Sequence, residues 1–189
     1  MSKLNEEKLN KILELKTKRD EIDNELEKLL STEVVENVSL SEKPNRWNTL
    51  KMKPEYTVQY LVDECKKLFD TYVYSWVDLS KTKSDRSGEY EITYEPNVEA
   101  DEKWKNKSAN DLAELKDIKF ITLEERLLLE IQYFKETGKH LDVDNWTFCS
   151  GSRLHCGRVP RCGWDEYRFQ VDDYHPDSAD DYMRTRNAI

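Results

Sequence analysis

Hydrophobic positions recur along this chain in three rhythms, and each predicts a different element. In the opening segment Ile12, Leu15, Ile22, Leu26 and Leu29 follow one another at alternating three- and four-residue steps, with Arg19 in the one polar position of that seam. This a/d spacing predicts a coiled-coil helix over residues 1–31, which self-associates because so narrow an apolar stripe is buried only against another helix. Residues 32–54 hold Pro44 and Pro54 with no sustained period, and read as a connector with one short strand around Val34 to Leu40.

From Glu55 to Leu79 the apolar residues Val58, Leu61, Val62, Cys65, Leu68, Phe69, Tyr72, Val73, Trp76 and Val77 keep a helical i, i+3, i+4 rhythm. The β-branched and aromatic end from Tyr72 also fits a strand. "EYEITYEP" alternates Tyr90, Ile92 and Tyr94 against acids, the pattern of a half-buried strand. "SANDLAELK" predicts a short helix. Thr122 and Glu125 form a T-x-x-E capping box before "LEERLLLEIQYFKETG", and Gly138 stands where a left-handed cap belongs. Leu127, Leu128, Ile131 and Phe134 of that helix are expected in the core. "NWTFC" and "YRFQVD" read as strands, and "PDSADDYMRTR" as a closing helix begun by Pro176 with Asp177 or Ser178 as cap.

The expected fold is therefore α+β: an N-terminal coiled-coil arm, the connector 32–54, and a small helix-rich domain over 55–189. That domain is mainly helical from 55 to 139, and ends in a lobe, 140–189, with a β-hairpin and the closing helix.

Composition sharpens this picture in two ways. Charged and hydrophobic residues each make up 37% of the 189 residues, and the net charge is −9. A chain so acidic is not expected to coat nucleic acid through its phosphates, which requires a basic face. No basic-then-apolar leader opens the sequence and no run reaches the roughly 18 apolar residues of a membrane span, so a cytoplasmic protein without a membrane partner is expected. In a reducing cytoplasm the four cysteines read as thiols or metal ligands and not as a disulfide framework. The lysine, asparagine, glutamate and isoleucine bias is that of an AT-rich coding sequence, such as a low-GC bacterium or its phage.

Candidate chemistry concentrates after Lys139, where lysine disappears and all three histidines and six of the ten arginines lie. "CSGSRLHCGRVPRCGW" brings together Cys149, Cys156 and Cys162 with His155. With His155, His140 or His175 as fourth ligand this is a Cys₃His set for zinc, the one cofactor the sequence raises. The intervals of seven and six positions between successive cysteines depart from the close pairs of structural zinc knuckles, and buried thiols on a hairpin explain the same residues. A cysteine-phosphatase loop is excluded, because four residues separate Cys156 from Arg161 where that chemistry requires five. The same stretch carries Arg153, Arg158 and Arg161 and no acid. These three suit an external anion or partner, or internal pairing with the aspartates that follow, Asp172, Asp173, Asp177, Asp180 and Asp181.

The sequence thus leads to a homo-oligomeric, non-enzymatic interaction protein with a protein partner, in a phage setting a virion component or an inhibitor of a host nucleic-acid-binding factor. Glu89, Glu91, Glu95, Glu99, Asp101 and Glu102 would then imitate a phosphate backbone. The alternative from another class is a metal- or cysteine-dependent hydrolase built on Cys149, Cys156, His155 and the neighbouring aspartates.

Overall fold

The computed structural model of the chain describes residues 15–19 and 47–189. They belong to two units, 1–44 and 45–189, and each is described by itself. In the first, residues 15–19 are helical and exposed, Leu15 at 57%. Of the remaining seam positions Arg19 falls within these residues, while Ile12, Ile22, Leu26 and Leu29 lie outside the described residues, as does the strand expected near Val34 to Leu40.

The second unit is built on two helices. Helix α1 (Val58–Leu68) starts at Thr57, whose hydroxyl accepts from the Tyr60 N–H at 3.2 Å, and it buries Val58, Leu61, Val62 and Cys65. Its rhythm breaks at Phe69, which is extended, and Thr71–Val73 become strand β2. Crowding at the Cβ of Thr71 and Val73 favours the pleated backbone over another helical turn. After the short helix α2 (Ala109–Ala113), α3 (Leu123–Thr137) is framed by the Thr122/Glu125 capping box and by Gly138 at φ 66°. Leu127, Leu128 and Ile131 are buried in the main core, and Phe134 is half-buried.

Strands β5 (Trp146–Phe148), β7 (Val159–Trp164), β8 (Phe169–Tyr174) and β9 (Met183–Arg184) complete, with β2, a mixed sheet of order β2-β8-β7-β5-β9. The β7–β8 hairpin is antiparallel, and β2 runs parallel to β8 and β9 to β5. One face of this sheet, with Cys162, Phe169 and Val171, packs on α1 and α3. Two smaller ribbons border it: β1 (Thr49–Met52) with β4 (Tyr90–Thr93), and β3 (Lys83–Ser84) with β6 (Ser152–Arg153). Strand β1 comes from the stretch read as connector.

The expectation of a helix-rich domain over 55–189 is overturned, while the coiled-coil arm expected over 1–31 lies, apart from residues 15–19, outside the described residues. The fold is α+β with short helices and a mixed five-stranded sheet; in the second unit α-helices of 11, 5 and 15 residues stand beside nine strands. The closing helix is also corrected. Residues 176–182 turn, because local acceptors compete for the backbone: Asp180 Oδ1 accepts from Tyr182 N–H at 2.8 Å and His175 Nδ1 from Asp177 N–H at 3.3 Å. Met183 and Arg184 then pair with β5. No helix among the described residues is long and apolar enough to cross a membrane.

Candidate functional site

The cysteine-rich stretch folds into β6, a turn and β7, and the turn separates its chemistry. Cys149 and Cys162 are buried; Cys156 and His155 are exposed. His140 lies elsewhere, its Nδ1 3.0 Å from Glu130 Oε1, and His175 is exposed. Among the described residues no group of three His, Cys, Asp or Glu is arranged to hold a metal ion. Burial pushes the Cys65 and Cys149 thiols well up, the direction opposite to that of a nucleophilic thiolate.

The three arginines turn inward. Arg158 pairs with Asp173, and Arg161 with Asp172 at 2.6 Å. The Arg161 guanidinium also lies between the rings of Trp146 and Tyr174, 4.5 and 4.6 Å from their centroids. Arg153 donates to the carbonyls of Ser150 and Ser152 at 2.8 and 2.9 Å. Gly163, opposite Trp146 on β5, leaves room for that indole, since a Cβ there would sit 3.0 Å from Trp146 Cδ2.

Arg161, Trp146 and Tyr174 lie on the sheet face turned away from α1 and α3. Strand alternation puts Tyr72, Gln170, Asp172, Arg161 and Trp146 on it. Its β5 end is closed by a small core of Phe148, Val159, Met183 and Ala109. Its β2 end carries a ladder of rings: Tyr72 to Tyr74 at 5.0 Å and Tyr74 to Trp76 at 4.6 Å. Tyr72 and Trp76 are 38% and 61% exposed. The polar tips of two rings are tied down, Tyr74 OH donating to Gln170 Oε1 at 3.1 Å and Trp76 Nε1–H to Asp172 Oδ1 at 3.0 Å. Arg168 lies 4.4 Å over the Tyr72 ring, and Tyr167 beside it in the β7–β8 turn is 79% exposed. The rings do not stand out in the sequence as a site, because Tyr72 and Trp76 also fit the helical rhythm of residues 55–79. The signal present was the period of two in Tyr72, Tyr74 and Trp76.

Titratable groups gather at a second place, the start of α3. Glu125 accepts from Arg86 Nε and Nη2 at 2.9 and 2.7 Å, from the hydroxyls of Tyr90 and Tyr94 at 2.8 and 2.6 Å, and from its capping partner Thr122 N–H at 2.7 Å. Burial alone would raise its pKa, but these donors, Arg86 first, hold it below the usual carboxylate range. Glu124 goes the other way: burial raises it, opposed by a hydrogen bond from Ser84 at 2.7 Å. It lines a cleft of about 330 Å³ with Tyr90, Arg86 and the start of α1.

The six acids proposed as a phosphate imitation do not share one surface. Glu99 binds the N–H groups of Val143 and Asp144, Asp101 is buried, and Glu102 pairs with Arg184. Glu89 and Glu91 instead line a groove of about 830 Å³ beside β4. No known protein family, no curated protein and no solved structure matches the chain.

Proposed function

We propose that this chain is an interaction protein, and that a protein partner with an apolar ridge seats on the aromatic end of the five-stranded sheet. The observation that carries this reading is the Tyr72–Tyr74–Trp76 ladder, exposed yet internally stacked. Tyr, Trp and Arg are the residues that dominate binding energy at protein interfaces, because each offers a large contact area for few rotatable bonds. The bonds from Tyr74 to Gln170 and from Trp76 to Asp172 orient the rings before a partner arrives. That lowers the ordering cost of association. The hydrolase reading draws no support from Cys149, whose thiol is buried and pushed up in pKa, away from a nucleophilic thiolate.

The test uses wild type and a Tyr72→Ala/Trp76→Ala double variant as baits in extracts of the source cell, read by quantitative mass spectrometry. A partner retained by wild type is expected to fall about tenfold or more on the variant, given the typical weight of aromatic hot spots, with the melting transition preserved. Equal retention on both baits overturns the reading.

A further inference from the structure

Strand β4 has one edge paired with β1 and, among the described residues, its other edge is open beside Glu91. Its register with β1, together with the bond from Tyr94 N–H to Asn48 O at 2.9 Å, directs the backbone of Tyr90, Ile92 and Tyr94 toward β1. In an antiparallel pair the intervening residues point their N–H and C=O the other way. The outward groups therefore belong to Glu91 and Thr93. Thr93 is partnered: its carbonyl accepts from Ile189 N–H at 3.0 Å, next to the antiparallel bridge between Tyr94 and Ala188. The outer edge of β4 thus already templates two residues of extended chain. One step further along, no hydrogen bond among the described residues reaches the N–H or C=O of Glu91.

That open edge faces the 830 Å³ groove, whose far walls are the 85–89 turn and residues 117–119. Ile92, Ile118 and Ile189 supply its apolar surface. Its charge is one-sided. Asp85, Glu89, Glu91 and Asp117 line it against Lys119 and Arg86, and Arg86 is already committed to Glu125. An acid-lined wall repels phosphate, so nucleic acid does not fit here. An extended segment rich in lysine or arginine does, because it meets both the unpaired edge and the negative walls.

We infer that this groove binds a basic, extended segment of another protein by strand addition, antiparallel to β4 and in line with Ala188–Ile189. Main-chain bonds to Glu91 supply the pairing, alternate side chains reach the isoleucines, and the basic side chains meet the acids. The site is separate from the aromatic ladder and stands or falls independently of it.

The probe is an acetylated and amidated peptide of alternating lysine and valine, titrated into the ¹⁵N-labelled chain. Saturable shifts are expected at the amides of Glu91, Ile92 and Thr93, and affinity is expected to drop as salt screens the acids. Glu91→Pro removes the outward N–H without touching the ladder to β1, as edge prolines do. It is expected to weaken binding about tenfold or more. The same peptide N-methylated at the alternate amides leaves the protein untouched and is expected to lose affinity equally. Absence of shifts up to about 1 mM peptide, equal binding of a glutamate–valine peptide, or full affinity of the N-methylated peptide each overturns the inference.

Discussion

The guanidinium of Arg126 and the carboxylate of Asp142 meet at 2.9 Å with neither side chain reaching solvent. Around them Glu130 pairs with Arg126 at 2.8 Å, Arg186 with Asp142 at 2.6 Å, and Asp142 accepts further from Ala100 N–H at 2.8 Å and from Thr147. Asp142 thus ties α3 to β5 and to the chain's last residues. Its φ of 54° is a left-handed conformation that asparagine tolerates at least as well as aspartate.

Asp142→Asn therefore keeps the backbone and removes the charge together with one of the two accepting oxygens. Removing one member of a buried pair leaves the other uncompensated, at a typical cost of about 3–5 kcal/mol. The same loss, read from urea denaturation, is expected for this variant. A change below about 1 kcal/mol would mean that the network contributes no more than a surface pair.

Acid sensitivity follows from the same carboxylates. Asp142 and Glu125 are pushed up by burial, but are held below their ordinary values by Arg186 and Arg126, and by Arg86. A depressed folded pKa contributes stability that is complete above the unfolded value and is lost as pH falls through the folded one. Stability is expected to be level near neutrality and to fall below about pH 5, from the ordinary carboxylate range near 4 downward. Glu124, with its pKa raised by burial, has the opposite sign, so Glu124→Gln is expected to raise the melting temperature at pH 7 relative to pH 4. Melting curves across pH for wild type and both variants check the two signs.

Thiol reactivity separates the cysteines by place. Cys156 is exposed, and Cys65, Cys149 and Cys162 are buried. Ellman's reagent is expected to modify one thiol per native chain quickly and the remaining three only on unfolding. Cys156→Ser should abolish the fast phase and leave the melting temperature within about 2 °C.

How legible this protein is in its sequence depends on whether the deciding forces are local. The capping box at Thr122 and Glu125 and the left-handed Gly138 could be read directly, because each satisfies backbone groups within one turn of its own residue. The alternation of Tyr90 and Ile92 likewise announced β4. The same local reading failed at residues 176–186, where helix caps and turn acceptors are the same aspartates, and only pairing of Met183 and Arg184 with β5 chooses between them.

The sequence by itself determined where helix α3 begins and ends, that the Cys149–Trp164 stretch contains turns, and that its arginines have aspartates within reach. Tertiary structure decided the rest. It drew Arg126, a helix residue with an ordinary charged appearance, into full burial with Asp142, and divided Cys149 and Cys162 from Cys156. It also turned Tyr72 and Trp76 outward and, among the described residues, left Glu91 on an open edge. Those outcomes rest on which surfaces meet across long stretches of chain; the period of two at Tyr72, Tyr74 and Trp76 allows a strand there but does not say which side it buries.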